Sequence, residues 1–147
     1  MTRRGLDGRW SAPVLLADPG LDPEWSPDGR WISYVATGDF ADPGPLMVMP
    51  ATGGRARAVV IAENAPLAGF ARWSPDGRTL YFKAHDARGF TSFWSVRAQG
   101  GRPRLLVRFD DPAWQSSRND FSTDGKRLYF AVEDRQSDVF VADLIKR

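Results

Sequence analysis

Few residues in this chain have the chemistry of an active site. His85 is the only histidine, and it stands before Asp86 in a stretch that reads as a loop. A nucleophilic mechanism needs Ser, Cys or Thr beside an oriented base. There is no cysteine, and no Gly-x-Ser-x-Gly elbow occurs in the sequence. Disulfides, thiolate metal sites and cysteine nucleophiles are excluded by the same count. His85 therefore reads as a solvated loop residue, and no catalytic residue is expected.

Ligand chemistry is equally sparse. Asp18, Asp39, Asp42, Asp86, Asp110 and Asp111 lie in loops. Calcium requires several oxygens converging from one loop. Asp39-x-x-Asp42 lacks the Asp-x-Asp-x-Asp-Gly spacing of such a loop, so these residues read as turn formers. The glycines come in pairs rather than as a Gly-x-Gly-x-x-Gly or Walker loop leading into a helix. Neither a metal nor a cofactor is expected.

What remains is recognition. Glu24, Arg72 and Asp120 each stand directly before an aromatic, namely Trp25, Trp73 and Phe121. Arg118 and Trp114 lie just upstream of Asp120. Charges of both signs with an indole nearby suit docking of a protein or peptide. On a strand each charged residue points away from the aromatic that follows it. The five can then line one opening, with the aromatics turned into a core. Charge reversal at Arg72 and Arg118 is expected to abolish docking while leaving thermal stability nearly unchanged.

The elements that must hold these residues are legible as a repeat. "WSPDGRWISYVA" begins at Trp25, "WSPDGRTLYFKA" at Trp73 and "FSTDGKRLYFAV" at Phe121, a period of 48 residues. Pro27 and Pro75 preset φ inside a reversal, Asp28, Asp76 and Asp124 can accept from nearby amides, and the glycine that follows each can take positive φ. A hairpin is expected at each turn. The following strand alternates with period two. One face carries Ile32, Tyr34 and Ala36, then Leu80, Phe82 and Ala84, then Leu128, Phe130 and Val132. The other carries Trp31, Ser33 and Val35, then Thr79, Tyr81 and Lys83, then Arg127, Tyr129 and Ala131. This pattern predicts a sheet covered on both sides, the second side partly wet.

Third strands are expected at 46–49, 93–96 and 139–142, after loops of differing length and composition. Paired glycines at Gly53-Gly54 and Gly100-Gly101 predict a second hairpin. Fourth strands follow at 58–61 and 104–107. A four-stranded antiparallel meander with two apolar faces cannot bury both alone, and radial stacking of copies solves this as a β-propeller. Trp25, Trp73, Phe121, Trp94 and Phe140 are then expected largely between blades. Each such ring removes roughly 150–250 Å² from water.

"PEWSPDGRWISYVA" and "ARWSPDGRTLYFKA", each followed by a "GGR" turn, resemble the WD40-like repeats of TolB-type β-propellers over almost the whole chain. The third copy departs, with Phe for Trp and Thr for Pro. The resemblance implies a non-catalytic module that binds a protein or peptide. Its relatives include the periplasmic TolB protein, with lipoprotein and colicin partners. It also includes the propellers that gate prolyl-oligopeptidase-like peptidases and the sensor-like tails of bacterial protein kinases and regulators. The alternative it leaves is a regulatory or gating fragment of a larger enzyme.

The expected fold is thus all-β: a propeller with three blades' worth of four-stranded sheet per chain, half of a six-bladed ring. Residues 1–20 supply an outer strand near 14–16, residues 21–68 and 69–116 are full blades, and residues 117–147 give three strands of a blade. Three blades fall below the usual range of roughly four to eight. Either a homodimer closes the ring, each N-terminal strand completing the other's last blade, or the chain belongs to a longer propeller.

Composition sets the remaining bounds. The net charge is +2 over 147 residues, and Arg30, Arg55, Arg72, Arg104 and Arg118 are scattered, so nucleic acid is not expected as a partner. No apolar run approaches a membrane span, and no apolar stretch follows Arg3-Arg4 to make a secretory signal. As written the chain is expected in the cytoplasm, or in the periplasm if it derives from a longer precursor.

Overall fold

A computed structural model describes residues 5–39, 42–63, 65–66, 69–85, 88, 90–111, 114–115 and 120–134. All regular structure among them is β, in twelve strands. Blade 1 is a meander of β1 (Leu21–Trp25), β2 (Trp31–Val35), β3 (Leu46–Pro50) and β4 (Arg57–Val60). Blade 2 repeats it with β5 (Phe70–Trp73), β6 (Thr79–His85), β7 (Thr91–Arg97) and β8 (Arg104–Arg108). Blade 3 contributes two short antiparallel ladders. One pairs β10 (Phe121–Thr123) with β11 (Leu128–Phe130), the other β9 (Trp114–Gln115) with β12 (Glu133–Asp134). The strand expected at 139–142, with Phe140, lies outside the described residues. His85 is not in a loop: it closes β6, exposed and paired with Thr91.

The turns form as the sequence dictates, with one partner that its pattern left unread. Ser26 Oγ donates to Asp28 Oδ1 at 2.6 Å and accepts from the Trp31 amide at 2.9 Å. Asp28 Oδ1 also accepts from the Arg30 amide at 3.0 Å. Blade 2 repeats this through Ser74, Asp76, Arg78 and Thr79 with the same three distances. The serine hydroxyl thus joins both ends of the reversal. The bond it donates, with the amide's, holds Asp28 and Asp76 below the usual carboxylate range. Gly29 and Gly77 take φ of 68° and 66°, a region that a side chain would strain. In blade 3, where proline is replaced, Thr123 Oγ1 accepts from the Gly125 amide and donates to the Arg127 carbonyl.

Both faces of blade 2 are covered. Its front residues Ala71, Trp73, Leu80, Phe82 and Ala84 form one core with Val35, Leu46, Val48, Val59 and Val60 of blade 1. Trp94 stacks on Phe82 with ring centroids 6.3 Å apart, and Arg57 reaches across to the Ala98 carbonyl at 2.7 Å. On the back, Phe93 meets Phe121 edge to face at 5.3 Å and Phe130 at 4.8 Å. This side was expected partly wet: Trp31, Thr79 and Tyr81 on it are half-buried and Tyr129 is 50 % exposed, while Ser33 and Lys83 are sealed at 1 %. The next blade covers them, and the Lys83 ammonium lies 5.9 Å over the Phe93 ring.

The expectation for the turn aromatics needs one correction. Trp73 and Phe121 are buried between blades, at 6 % and 5 % exposure, but Trp25 is 52 % exposed. Among the described residues, the front face of blade 1 is met by the segment around Leu16 and Ala17, which packs against Ile32, Tyr34 and Met49. Residues 14–16 form no strand here. They nevertheless lie over blade 1 as Val59 and Val60 of the outer strand β4 lie over blade 2.

Candidate functional site: an ion-pair node on the inner strands

Inner strands β1, β5 and β10 lie side by side. Three of the five site residues meet there. Arg72 Nη1 lies 3.8 Å from Glu24 Oε2, and Nη2 lies 3.8 Å from Asp120 Oδ1. Each stands directly before an aromatic on its strand, so each points to the side opposite that ring. The Trp114 backbone is paired with Asp134 in β9, and nothing is described of its side chain. Arg118 lies outside the described residues.

Sequence reasoning missed the tightest partner of Arg72. Asp22 Oδ2 sits 3.1 Å from Nη1, and both side chains are mostly buried. Asp22 stands two residues before Glu24, a spacing that shares a strand face and was available as a signal. What spacing could not show is the irregular register between Leu21 and Glu24, with Asp22 at φ 48°. Arg72 also donates from Nε to the Phe121 carbonyl at 3.2 Å and from Nη1 to the Ala71 carbonyl at 2.7 Å. Its Cζ lies 5.7 Å from the Phe121 ring centre. One guanidinium therefore ties three blades together, which overturns the expectation that its charge reversal would leave stability unchanged.

Charge is unbalanced at the node. Among the described residues Asp22, Glu24 and Asp120 face a single cation, and Glu24 Oε2 is buried without a hydrogen-bond donor. Burial pushes the Glu24 carboxyl above its usual value of 4.5; Arg72 opposes the rise and Asp22 adds to it. Above pH 4.5 and up to the raised value, the native state holds more protons than the unfolded chain, so stability falls as pH rises through that window. Glu24→Gln should therefore melt higher than wild type at neutral pH. The difference should shrink as pH falls through that window and vanish only well below 4.5, where the carboxyl is neutral in both states. Melting curves from strongly acid to neutral pH check this, and a Glu24→Gln protein that melts lower at pH 7 would contradict it.

Asp86 lies outside the described residues, and among those described the remaining candidates are not brought together. Asp39 and Asp42 close a turn, the Asp42 amide donating to the Asp39 carbonyl at 3.2 Å. Among the described residues no three His, Asp or Glu side chains are grouped as metal ligands. No helix among them is long and apolar enough to cross a membrane.

Stacked four-stranded meanders whose inner strands converge on one charged edge define a β-propeller fragment. Comparison with known proteins says which propeller it is similar to. Over 75 residues, half of the chain, it is 38% identical to the Tol-Pal system protein TolB of Alcanivorax borkumensis, the match spanning 17% of that protein. The structure of the putative TolB from Agrobacterium tumefaciens superposes with a TM-score of 0.58 at 18% identity, covering 90% of this chain and 62% of that one. The chain thus spans less than two thirds of either relative. No family model matches it. The fold is TolB-like.

Proposed function

We propose that this chain is a non-catalytic propeller module that docks a protein or peptide at the mouth of its central channel. One observation carries the reading: three inner strands bring Asp22, Glu24, Arg72 and Asp120 to one place, with Asp120 left 90 % exposed at its edge. Three carboxylates around one guanidinium make that mouth acidic, so a basic segment is the partner it fits. Trp114 and Arg118 complete the mouth in this reading. Similarity to a Tol-Pal system protein makes the soluble domain of a Pal-type lipoprotein the first probe, and favours the periplasmic one of the two expected compartments. Titrating that domain against the full chain should give saturable binding that weakens at least tenfold in Asp120→Lys, with melting unchanged. Equal binding by both proteins would remove the mouth from the interaction.

A ring is needed to make a channel. In this reading two copies supply it, as a homodimer of six blades.

A further inference from the structure

The repeat shows what an unpartnered blade face lacks, because the same positions are satisfied one blade further on. Trp73 Nε1 donates to the Glu24 carbonyl of the blade before it at 3.2 Å, and Trp73 is 6 % exposed. Trp25 holds the same place in blade 1 and is 52 % exposed. Tyr81 at the back of blade 2 donates to the Gly125 carbonyl in the turn of the next blade at 3.2 Å. Its repeat, Tyr129 at the back of blade 3, is 50 % exposed and donates to Asp124 in its own blade instead. The turns stack in register too. A Cβ on Gly77 would lie 3.7 Å from Pro27 and one on Gly125 3.0 Å from Pro75, whereas one on Gly29 would meet nothing within 4 Å.

Among the described residues, therefore, Trp25 on the front of blade 1 and Tyr129 on the back of blade 3 stay exposed, each carrying the group used at the formed joints. We infer that the front of blade 1 is a socket for the back of blade 3 from a second copy of this chain. Trp25 Nε1 donates there to the Asp120 carbonyl of that copy, and its Tyr129 hydroxyl donates to the Gly29 carbonyl. This rests on the homodimer reading above and names the surface that makes it. The occupant follows from continuity: the joint is the third in a series of which two are already built within the chain. The groove it fills, between Trp25, Ile32, Tyr34, Met49 and Leu15, has a volume of about 450 Å³ and is mainly apolar. Two such joints close the ring, so each copy gives one front and one back.

Light scattering on the full chain, with and without Trp25→Asp, tests the surface. The expected result is a dimer for wild type and half that mass for the variant, with the melting of the dissociated chain unchanged because Trp25 is already half exposed. A second measurement avoids dependence on that variant's folding. The chain lacks cysteine, so an Asp28→Cys copy mixed with a Tyr129→Cys copy should be joined by a short bis-maleimide. Tyr81→Cys with Asp124→Cys inside one chain serves as the positive control for reach. A wild-type monomer at micromolar concentration overturns both the dimer and the socket. A dimer that survives Trp25→Asp and yields no cross-link overturns the socket alone, leaving the dimer to another surface.

Discussion

Trp73→Ala should lower the unfolding free energy by about 3–5 kcal/mol, the range for removing a large aromatic from a packed core. Trp73 is enclosed by residues of both blades, and its indole N–H is the donor to the Glu24 carbonyl. Truncation would leave a cavity at the joint and remove that carbonyl's indole donor. The same substitution at Trp25, made on the dissociated chain, should cost about 1 kcal/mol or less, because half of that ring is already in water. Urea denaturation of the two variants side by side measures the difference. Equal losses would mean that the joint between blades 1 and 2 is not what holds the chain together. The pair is informative because both tryptophans open the same Trp-Ser-Pro-Asp-Gly-Arg turn, while the back of blade 1 packs on Trp73 and Trp25 stays half exposed.

Arg72→Glu is the second large effect. It removes the guanidinium that meets Asp22 at 3.1 Å and both Glu24 and Asp120 at 3.8 Å, and it leaves four carboxylates together. Breaking a buried pair by removing one partner costs roughly 3–5 kcal/mol. The Arg72 side chain is 22 % exposed and that of Asp22 is 17 % exposed, so water screens part of this and the loss belongs near the lower end. Acid should shrink the loss, since protonating the carboxyls relieves the repulsion. Arg72→Met, which keeps much of the volume, should fall between wild type and Arg72→Glu at pH 7. Chemical denaturation at neutral and at acid pH reads all three. A charge-reversed protein as stable as wild type at pH 7 would show that the node is a surface feature. Loss of docking in Arg72→Glu would not by itself locate a binding site, because the inner strands would loosen too. Asp120, exposed and at the edge of the node, is the cleaner position for that question.

The turns and strands were legible because their causes are local. Ser-Pro-Asp-Gly bends wherever it occurs, since Pro fixes one φ, Asp caps amides two residues on and Gly accepts a positive φ. Period-two alternation then told which side of each strand was apolar, and the core places Leu80 and Phe82 on the predicted face. Glu24, Arg72 and Asp120 were grouped by the same parity. Parity put Lys83 on the partly wet face but could not say what covers that position; blade 3 seals it while Thr79 and Tyr81 stay half-buried. Asp22 was missed because an irregular register at β1 sets where its carboxylate lies. The separate roles of Trp25 and Trp73 were invisible in sequence, since both begin the same words.

By itself, the sequence determined the repeat, the meander, the alternation of faces and the partition of charge from aromatic on the inner strands. Each depends on backbone preferences and residue types within a few positions. Tertiary structure alone decided which aromatic is enclosed, that one arginine joins three blades, and that Trp25 stays half exposed among the described residues. Those are properties of neighbours, and a 48-residue repeat carries the same words whether or not another blade stands beside it.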